Sequence, residues 1–321
     1  MKITQSSTNP YKNSDSNKRY YTYDYYLRRT FGGKCVKIAI DAGFTCPNID
    51  GTCAVGGCIY CSGRGSGDFA APSSFSLEEQ FASGLSLMSK KWDASRRIVY
   101  FQAHTNTYAP VEVLREKFYT ALSFENVVGL NIATRADCLP QDVLELLSEL
   151  SEKTVLTVEL GLQSSNDESA RRINRGHDFE AFKHGFEALR KANEKINICT
   201  HLIFGLPGET REDMLQSVRD VAALGTDQVK LHMMYVIDGT MLGEMYKRGE
   251  YTPIDRDEYI SVACDALELL PTDTVVARIT GDGAEDSLLA PLWSRKKTAV
   301  INDIDKEMFR RNSYQGRLFM R

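Results

Sequence analysis

The stretch VVGLNIATRADCLPQDVLELLSELSEKTVLTVELG, from Val127 to Gly161, decides the fold class. Its two ends, Val127–Thr134 and Val155–Gly161, are apolar and contain the β-branched residues that are typical of buried strands. Its middle, Gln141–Leu150, repeats valine and leucine at the spacing of an amphipathic helix. This order predicts a βαβ unit, in which a right-handed crossover makes the two strands parallel.

The same alternation continues on both sides of this unit. The predicted strands are Val36–Ile40, Ile98–Phe101, Val127–Thr134, Val155–Gly161, Ile196–Phe204 and Gln228–Val236, and the predicted helices are Leu77–Trp92, Val111–Phe124, Gln141–Leu150, Phe179–Asn193 and Arg211–Leu224. Six such strands indicate an α/β fold, a partial (β/α)6 TIM-type barrel with N- and C-terminal extensions and a site at the C-terminal strand ends. A doubly wound open sheet is the alternative, because periodicity does not reveal closure.

Three segments follow from this pattern. Residues 1–35 form a basic, aromatic N-terminal extension, residues 36–240 the barrel core, and residues 241–321 a covering extension that is basic at its end. In this last segment we predict three helices and one strand. They are Met241–Arg248, Asp255–Leu270 and Ile301–Arg311 for the helices, and Val275–Ile279 for the strand.

The composition excludes several classes of protein. The 321 residues are 42% hydrophobic and 26% charged, which argues against a disordered or collagen-like chain. No apolar run approaches the ~18 residues of a membrane span, and the N-terminal sequence has no apolar core of a secretion signal. We therefore expect a cytoplasmic protein without a membrane partner.

The charge is unevenly distributed along the chain. The formal net charge is −4, but residues 1–37 carry +6 and residues 290–321 carry +5, so the 252 residues between them carry −15. Basic ends on an acidic body could contact a polyanion such as RNA, or they could simply be solvated.

Eight cysteines in a chain without a secretion signal favour metal or redox chemistry over disulfides. Four of them lie in the loop DAGFTCPNIDGTCAVGGCIYCSGRGSGDFA, which begins at Asp41, with the spacing Cys46-x6-Cys53-x4-Cys58-x2-Cys61. Four thiolates could bind tetrahedral zinc, whereas three could bind a 4Fe-4S cluster with one iron left open. The loop alone does not distinguish these two.

Several motifs, in chain order, resemble the radical S-adenosylmethionine (SAM) superfamily and its branch related to the catalytic subunit of elongator. They are CIYC at 58–61, ATRADC at 133–138, ELGLQS at 159–164, NRGH at 174–177, HLIFGLPGE at 201–209 and VIDGT at 236–240. Within that branch the chain is most similar to the YtqA/YhcC-type proteins. This likeness lies in GFTCPN at 43–48, GGCIYC at 56–61, FQAHTNTYAP at 101–110 and SYQG at 313–316.

The resemblance implies that Cys46, Cys58 and Cys61 are the catalytic ligands of a 4Fe-4S cluster and that Cys53 is not a ligand. The open iron would bind the amino and carboxylate groups of SAM. Reductive cleavage would then give a 5′-deoxyadenosyl radical, with electrons from a low-potential donor such as flavodoxin or ferredoxin. Because the chain ends before an acetyltransferase domain could follow, we expect no acetyl-CoA chemistry.

Polar groups at the strand ends are the expected SAM contacts. Gln102, His104 and Asn106 would hold the methionine amino group, and Glu159 and Gln163 would bind the ribose hydroxyls. The adenine edge would be lined by Tyr60, Ile203, Gly205 and His232.

Two of these contacts have structural alternatives. Glu159 could instead form an ion pair with Arg135 or Lys230 inside the barrel. His201 and His232 lie on apolar strands, where a hydrogen-bonded core histidine is the commoner case.

The branch and the basic ends together predict tRNA as the substrate, specifically the conversion of carboxymethylaminomethyl-uridine to aminomethyl-uridine at the wobble position. A flipped base would enter the barrel mouth while basic residues hold phosphates. The predicted phosphate contacts are Arg28, Arg29, Arg295, Lys296, Lys297, Arg310 and Arg311. The alternatives are a radical SAM enzyme that acts on a small metabolite and a non-catalytic, zinc-stabilised RNA-binding module.

Overall fold

A computed structural model describes residues 9–65, 67, 70–281, 283 and 286–320 of the chain. The strands are β1 (Val36–Ile40), β2 (Arg97–Phe101), β3 (Val127–Thr134), β4 (Val155–Gln163), β5 (Asn197–Phe204), β6 (Gln228–Met233), β7 (Val236–Ile237), β8 (Val275–Arg278) and β9 (Leu288–Ala290). The helices are α1 (Tyr23–Phe31), α2 (Leu77–Ser89), α3 (Val111–Leu122), α4 (Gln141–Ser151), α5 (Asp167–Arg172), α6 (Phe179–Ala192), α7 (Arg211–Ala223), α8 (Met241–Lys247), α9 (Arg256–Leu269) and α10 (Lys297–Arg310), with a 3-10 turn at Leu292–Lys296.

Seven parallel strands form one curled sheet in the order β1-β2-β3-β4-β5-β6-β8. Neighbours in the sheet follow chain order, so there is no reversal of the kind that divides a doubly wound sheet. The prediction of a partial TIM-type barrel is confirmed. Strand β8 adds a seventh strand and comes from the predicted C-terminal extension, so residues beyond 240 belong to the sheet as well.

The predicted strand Gln228–Val236 is too long. Strand β6 ends at Met233, and Val236 belongs to β7, which pairs antiparallel with β9 in a separate two-stranded sheet. Val236 and Met234 remain almost fully buried, because they pack in a second apolar cluster with Ile59. Their apolar character therefore reports burial and not membership of the main sheet.

Most other element ends agree with the sequence pattern to within three residues. The predicted helix Ile301–Arg311 begins four residues earlier, at Lys297, and Leu77–Trp92 ends at Ser89. Helix α5, strand β9 and the 3-10 turn were not predicted, because they are too short to show a periodicity. No helix within the described ranges has the length and apolar character that a membrane span requires.

Helix α1 and the residues just before it cover the N-terminal end of the barrel and contact both of its edge strands. The Tyr23 ring lies 4.9 Å from Nζ of Lys37 on β1, and the Val276 amide on β8 donates to the Tyr21 carbonyl at 2.8 Å. The apolar core fills the space between the sheet and the outer helices, with Phe182 of α6 fully buried. This packing leaves the C-terminal ends of the strands as the open end of the barrel.

We predict that Gly185→Ala destabilises the protein although alanine favours helix. Gly185 lies inside α6, and a Cβ there would overlap the backbone carbonyl of Ala136, which follows β3. Overpacking of this kind costs about 1–3 kcal/mol, which exceeds the helix-propensity gain of about 1 kcal/mol. Urea unfolding should show a lower midpoint for Gly185→Ala and almost no change for Glu187→Ala at an exposed position of the same helix. An unchanged Gly185→Ala midpoint would contradict the close packing of α6 on this loop.

Candidate active site

A cavity of about 270 Å³ lies at the C-terminal strand ends and is lined by residues of the cysteine loop and of the strands β2 to β6 and β8. Ten of the predicted site residues line it. They are Cys46, Cys58, Tyr60, Cys61, Gln102, His104, Glu159, Gln163, Ile203 and His232. Residues that are far apart in the chain therefore meet at the end of the barrel where the sequence placed the site.

Two predicted contacts lie outside this cavity. Asn106 is fully buried, and its Nδ2 donates to three backbone carbonyls at 2.9–3.2 Å, so it shapes the loop after β2. Gly205 accepts a hydrogen bond from the Tyr251 hydroxyl at 2.6 Å and faces Ile254. The structure does not support a SAM contact for these two residues, because a loop end that is polar or glycine-rich can equally serve to fold the loop, and the predicted contacts stay predictions.

The four loop cysteines do not occupy equivalent positions. Cys46, Cys58 and Cys61 line the cavity, whereas Cys53 is exposed, with its Sγ 3.7 Å from Oδ2 of Asp137. Within the described part of the chain, no three His, Cys, Asp or Glu side chains are close enough to hold a single metal ion. The arrangement fits a cluster on three thiolates better than a zinc ion on four.

The segment after α5 holds the cysteine loop in place. Nδ2 of Asn174 donates to the Gly57 carbonyl at 2.8 Å, and the Ile59 amide donates to the Ile173 carbonyl at 3.1 Å. Asn48, which is fully buried, donates from Nδ2 to the Asn174 carbonyl and to Sγ of Cys58, the latter at 3.4 Å. This hydrogen bond fixes the orientation of the Cys58 side chain, as supporting contacts of metal ligands do.

Two arginines add positive charge beside the thiols. Nη1 of Arg175 lies 3.9 Å from Sγ of Cys58, and Arg135 donates to the Arg175 carbonyl at 2.8 Å. Arg135 also forms a bidentate ion pair with Asp137, with hydrogen bonds of 2.7 and 2.9 Å. The alternative in which Arg135 pairs with Glu159 is therefore wrong. Both arginines lie within sequence motifs, ATRADC and NRGH, but neither was predicted to contact the cysteine loop. The available signal for Arg135 was a cation directly after a strand end.

His104 lines the cavity and carries an unsatisfied polar atom. The residue has a φ of 58°, a conformation that is rare outside glycine, and its ring packs against Gly65. Among the described residues Nδ1 has no hydrogen-bond partner, although it is buried. Burial lowers the pKa of His104, which favours the neutral ring. A neutral, unpartnered imidazole nitrogen in this place fits a bound polar ligand such as the methionine part of SAM.

Gln163 is the second strained residue at the cavity. Its φ is 78°, and it ends β4 at an irregularity in the pairing with β5. Such strain in a non-glycine residue is found preferentially at functional sites. The position of Gln163 agrees with its predicted role as a ribose contact, which stays a prediction.

Glu159 lies in the barrel interior, where it lines the cavity, and is almost fully buried. Its carboxylate is bonded to Lys230, to Nε2 of His201 at 2.9 Å, to Nδ2 of Asn131 at 2.8 Å and to Nζ of Lys37 at 3.2 Å. Burial alone would raise the pKa of Glu159, but Lys230 and Lys37 outweigh it and hold the pKa well below its ordinary value. Both oxygens are occupied, so the ion pair with Lys230 is confirmed and the predicted ribose contact is not supported.

The two histidines of β5 and β6 are neutral at physiological pH. Their rings lie 5.5 Å apart. Burial and the nearby Lys230 charge lower the pKa of His201 to about 4, and burial together with Arg278 lowers the pKa of His232 well below its ordinary value. His201 bonds to Glu159 as a core histidine does, while His232 lines the cavity, as predicted for an adenine contact.

The predicted phosphate contacts are not brought together. Arg28 and Arg29 end α1, at the opposite end of the barrel from the cysteine loop, and Arg28 pairs with Asp15 and Asp24. Arg310 and Arg311, at the end of α10, both pair with Glu307. Arg295, Lys296 and Lys297 follow β9, which pairs with β7 just beyond the end of β6, and so lie beside the open end of the barrel.

We predict that Gly176→Ala weakens binding of an iron–sulfur cluster. Gly176 has a φ of 78°, and a Cβ there would overlap Oδ1 of Asn48 and displace its bond to Cys58. Loss of such a supporting contact typically lowers metal affinity by about tenfold or more. Iron and acid-labile sulfide, measured after anaerobic reconstitution, should therefore fall.

Gly249→Ala is the matched control for this variant. Its φ is 75°, and a Cβ there would meet nothing within 4 Å, so it carries the same backbone strain without the contact. Equal iron and sulfide contents in the two variants would show that Asn48 does not support the cluster ligand.

Two protein-family models match the chain. The model of the radical SAM superfamily matches residues 49–221, and the model of the radical SAM C-terminal domain matches residues 226–310. The first model covers more than half of the chain and includes Cys58, Cys61 and the strand ends that line the cavity.

Individual relatives agree with this match. The chain is 46% identical to protein YtqA of Bacillus subtilis (strain 168), over 98% of this chain and 97% of that protein. It is 32% identical to a tRNA uridine(34) acetyltransferase of Methanocaldococcus infernus, over 48% of this chain and 29% of that protein.

A solved structure shows the same fold. The structure of archaeal Elp3 from Methanocaldococcus infernus, with an N-terminal deletion, superimposes with a TM-score of 0.66 and 20% identity, over 88% of this chain and 64% of that chain. Together with the cavity that brings three cysteine thiols to the strand ends, these matches identify the chain as a radical SAM enzyme of the elongator-like branch, with a 4Fe-4S cluster and SAM as its cofactors.

Proposed function

We propose that this enzyme modifies tRNA and converts the carboxymethylaminomethyl group on C5 of the wobble uridine to an aminomethyl group. The single observation that carries the proposal is the cavity, which is lined by three cysteine thiols and by cationic side chains of the barrel interior. The similarity to a tRNA uridine(34) acetyltransferase supports the choice of the wobble uridine, because that relative is named for the same base.

The residues of the cavity have distinct roles in this proposal. Cys46, Cys58 and Cys61 would hold the cluster, with Asn48 and Arg175 stabilising the Cys58 thiolate. When bound, the cluster and SAM supply a strong hydrogen-abstracting oxidant, which takes up two electrons overall as SAM becomes methionine and 5′-deoxyadenosine. His104, Gln102 and Gln163 line the space beside the thiols and would orient the cofactor.

The proposed conversion balances chemically. The C–N unit loses two electrons and two hydrogens, one from the methylene carbon between nitrogen and carboxylate and one, as a proton, from the nitrogen. This gives an imine, and water then hydrolyses its C=N bond. The products are the aminomethyl group and glyoxylate. The neutral His232 lines the space where this carbon would lie. The half-closed barrel would admit the flipped nucleotide and exclude bulk water.

The first test is anaerobic incubation of the reconstituted enzyme with SAM, a reductant and tRNA from a strain that lacks the gene. We expect tRNA-dependent release of 5′-deoxyadenosine, formation of glyoxylate and loss of the carboxymethyl group from one nucleoside. Cys58→Ala should abolish all three, while Cys53→Ala, whose thiol lies outside the cavity, should retain them.

Each other outcome of this assay has a definite meaning. Release of deoxyadenosine with a small metabolite but not with tRNA would replace the proposed substrate. Iron-free protein that contains one zinc, with the same zinc content in Cys58→Ala, would contradict both the cluster and the enzymatic function.

The second test concerns the basic surface beside the barrel mouth. Substitution of Arg295, Lys296 and Lys297 by glutamine should weaken tRNA binding and lower the slope of log affinity against log salt by about 2, at roughly 0.7 per lost phosphate contact. The double variant Arg28→Gln/Arg29→Gln is the control, because it removes charge at the opposite end of the barrel. A salt slope that falls only in the control would place the RNA on the other face.

A further inference from the structure

The interior of the barrel holds more positive charge than its acid can neutralise. Lys37, Lys230 and Arg278 project from β1, β6 and β8, and Glu159 of β4 is the acidic partner that the structure gives them. Lys230 is 4% exposed and Glu159 is 1% exposed, so bulk water screens this group poorly. With the two neighbouring histidines neutral, the three cations exceed Glu159 by two positive charges, counting these described residues alone.

Glu159 cannot balance Arg278. Its two oxygens already accept bonds from Lys37, Lys230, His201 and Asn131. Nζ of Lys230 also donates to the Tyr100 hydroxyl at 3.2 Å, so the contacts to Glu159 and Tyr100 use two of its three N–H groups and leave one. A further cation next to these groups therefore adds charge that they do not compensate.

Arg278 is this further cation. It lies opposite Lys230 in the parallel pairing of β6 and β8, and its side chain lines the cavity. Across the described residues, no ion pair or hydrogen bond to its guanidinium is found. Its charge lowers the pKa of Lys230, His201 and His232, as expected for a cation that faces other cationic or neutral groups. Arg278 is half-buried and faces a cavity that already holds a surplus of positive charge, so an anion from outside the chain would be bound favourably there.

We propose that Arg278, together with Lys230, binds a carboxylate of the substrate at the inner end of the cavity. This inference rests on the proposed function, in which the carboxymethyl group is the only part of the modified base that carries a carboxylate. A guanidinium binds a carboxylate through two parallel hydrogen bonds, which would hold the adjacent methylene carbon in a defined place. Arg278 would thus select the carboxylated nucleoside over the aminomethyl product.

The carboxylate of SAM is the other anion that enters this cavity. It would bind the open iron of the cluster, and the cysteine loop contacts Arg135 and Arg175, which follow β3 and α5. Arg278 belongs to β8, at the far edge of the sheet, beyond β5 and β6. The substrate is therefore the better source of the anion at Arg278.

The test compares two tRNAs that differ only in the carboxymethyl group. The reconstituted wild-type enzyme should bind the carboxymethylaminomethyl tRNA more tightly than the aminomethyl tRNA. In Arg278→Gln the affinity for the carboxylated tRNA should fall by about tenfold to a hundredfold, as expected for a lost charge-assisted bond, and the affinity for the product should not change. Arg278→Lys should restore part of the preference, and Arg115→Gln, on the outer helix α3, should leave it intact.

Binding of SAM separates the two sources of the anion. Equilibrium dialysis should give the same dissociation constant for SAM in wild type and in Arg278→Gln. If SAM binding weakens by a similar factor while the preference between the two tRNAs persists, Arg278 binds the carboxylate of SAM and the proposal is overturned.

If neither tRNA is a substrate, the proposed function fails, but the carboxylate subsite can still be tested with a pair of small probes. N-benzylglycine and its neutral amide have nearly the same shape and differ in charge. Titration calorimetry should show preference for the acid in the wild type and none in Arg278→Gln. Equal binding of acid and amide by the wild-type enzyme would exclude a carboxylate subsite.

Discussion

The buried carboxylate of Glu159 is the interaction on which the interior of the half-barrel depends. It accepts bonds from Lys37 of β1, Asn131 of β3, His201 of β5 and Lys230 of β6, so one side chain connects five of the seven strands. Strands β1 and β6 are not neighbours of β4 in the sheet, and these bonds therefore cross the interior. A buried charge is tolerated only when its partners are complete, and here four donors surround it.

This network divides the cavity into two chemically different ends. Near the cysteine loop, Asn48 and Arg175 direct donors at a thiol, which suits a negatively charged cluster. At the inner end, the charges of Lys37, Lys230 and Arg278 together exceed that of their acidic partner Glu159. A substrate that carries an anionic group would therefore be oriented with that group away from the cluster, and its reactive carbon would lie between the two ends.

The positions of the two basic ends in the fold decide which of them could contact RNA at the open end of the barrel. Both ends have similar net charges, yet α1 covers the N-terminal end of the barrel, while the residues after β9 lie beside the open end. Arg28 and Arg311 pair with acids of the same or neighbouring helices, as solvated helix faces commonly do. Charge counting along the sequence could not separate these cases, because it has no information on which end of the barrel each segment reaches.

The sequence by itself determined the alternation of strands and helices, the parallel sheet and the cysteine loop, because hydrophobic periodicity and ligand spacing are local properties. It did not determine which residues at the strand ends are available to a ligand. Asn106 and Gly205 form hydrogen bonds within loops, and the carboxylate of Glu159 is bonded to neighbouring side chains of the barrel. The tertiary structure also decided that β8 completes the sheet and carries Arg278 to Lys230. Those outcomes depend on contacts between residues that are distant in the chain, which no local pattern encodes.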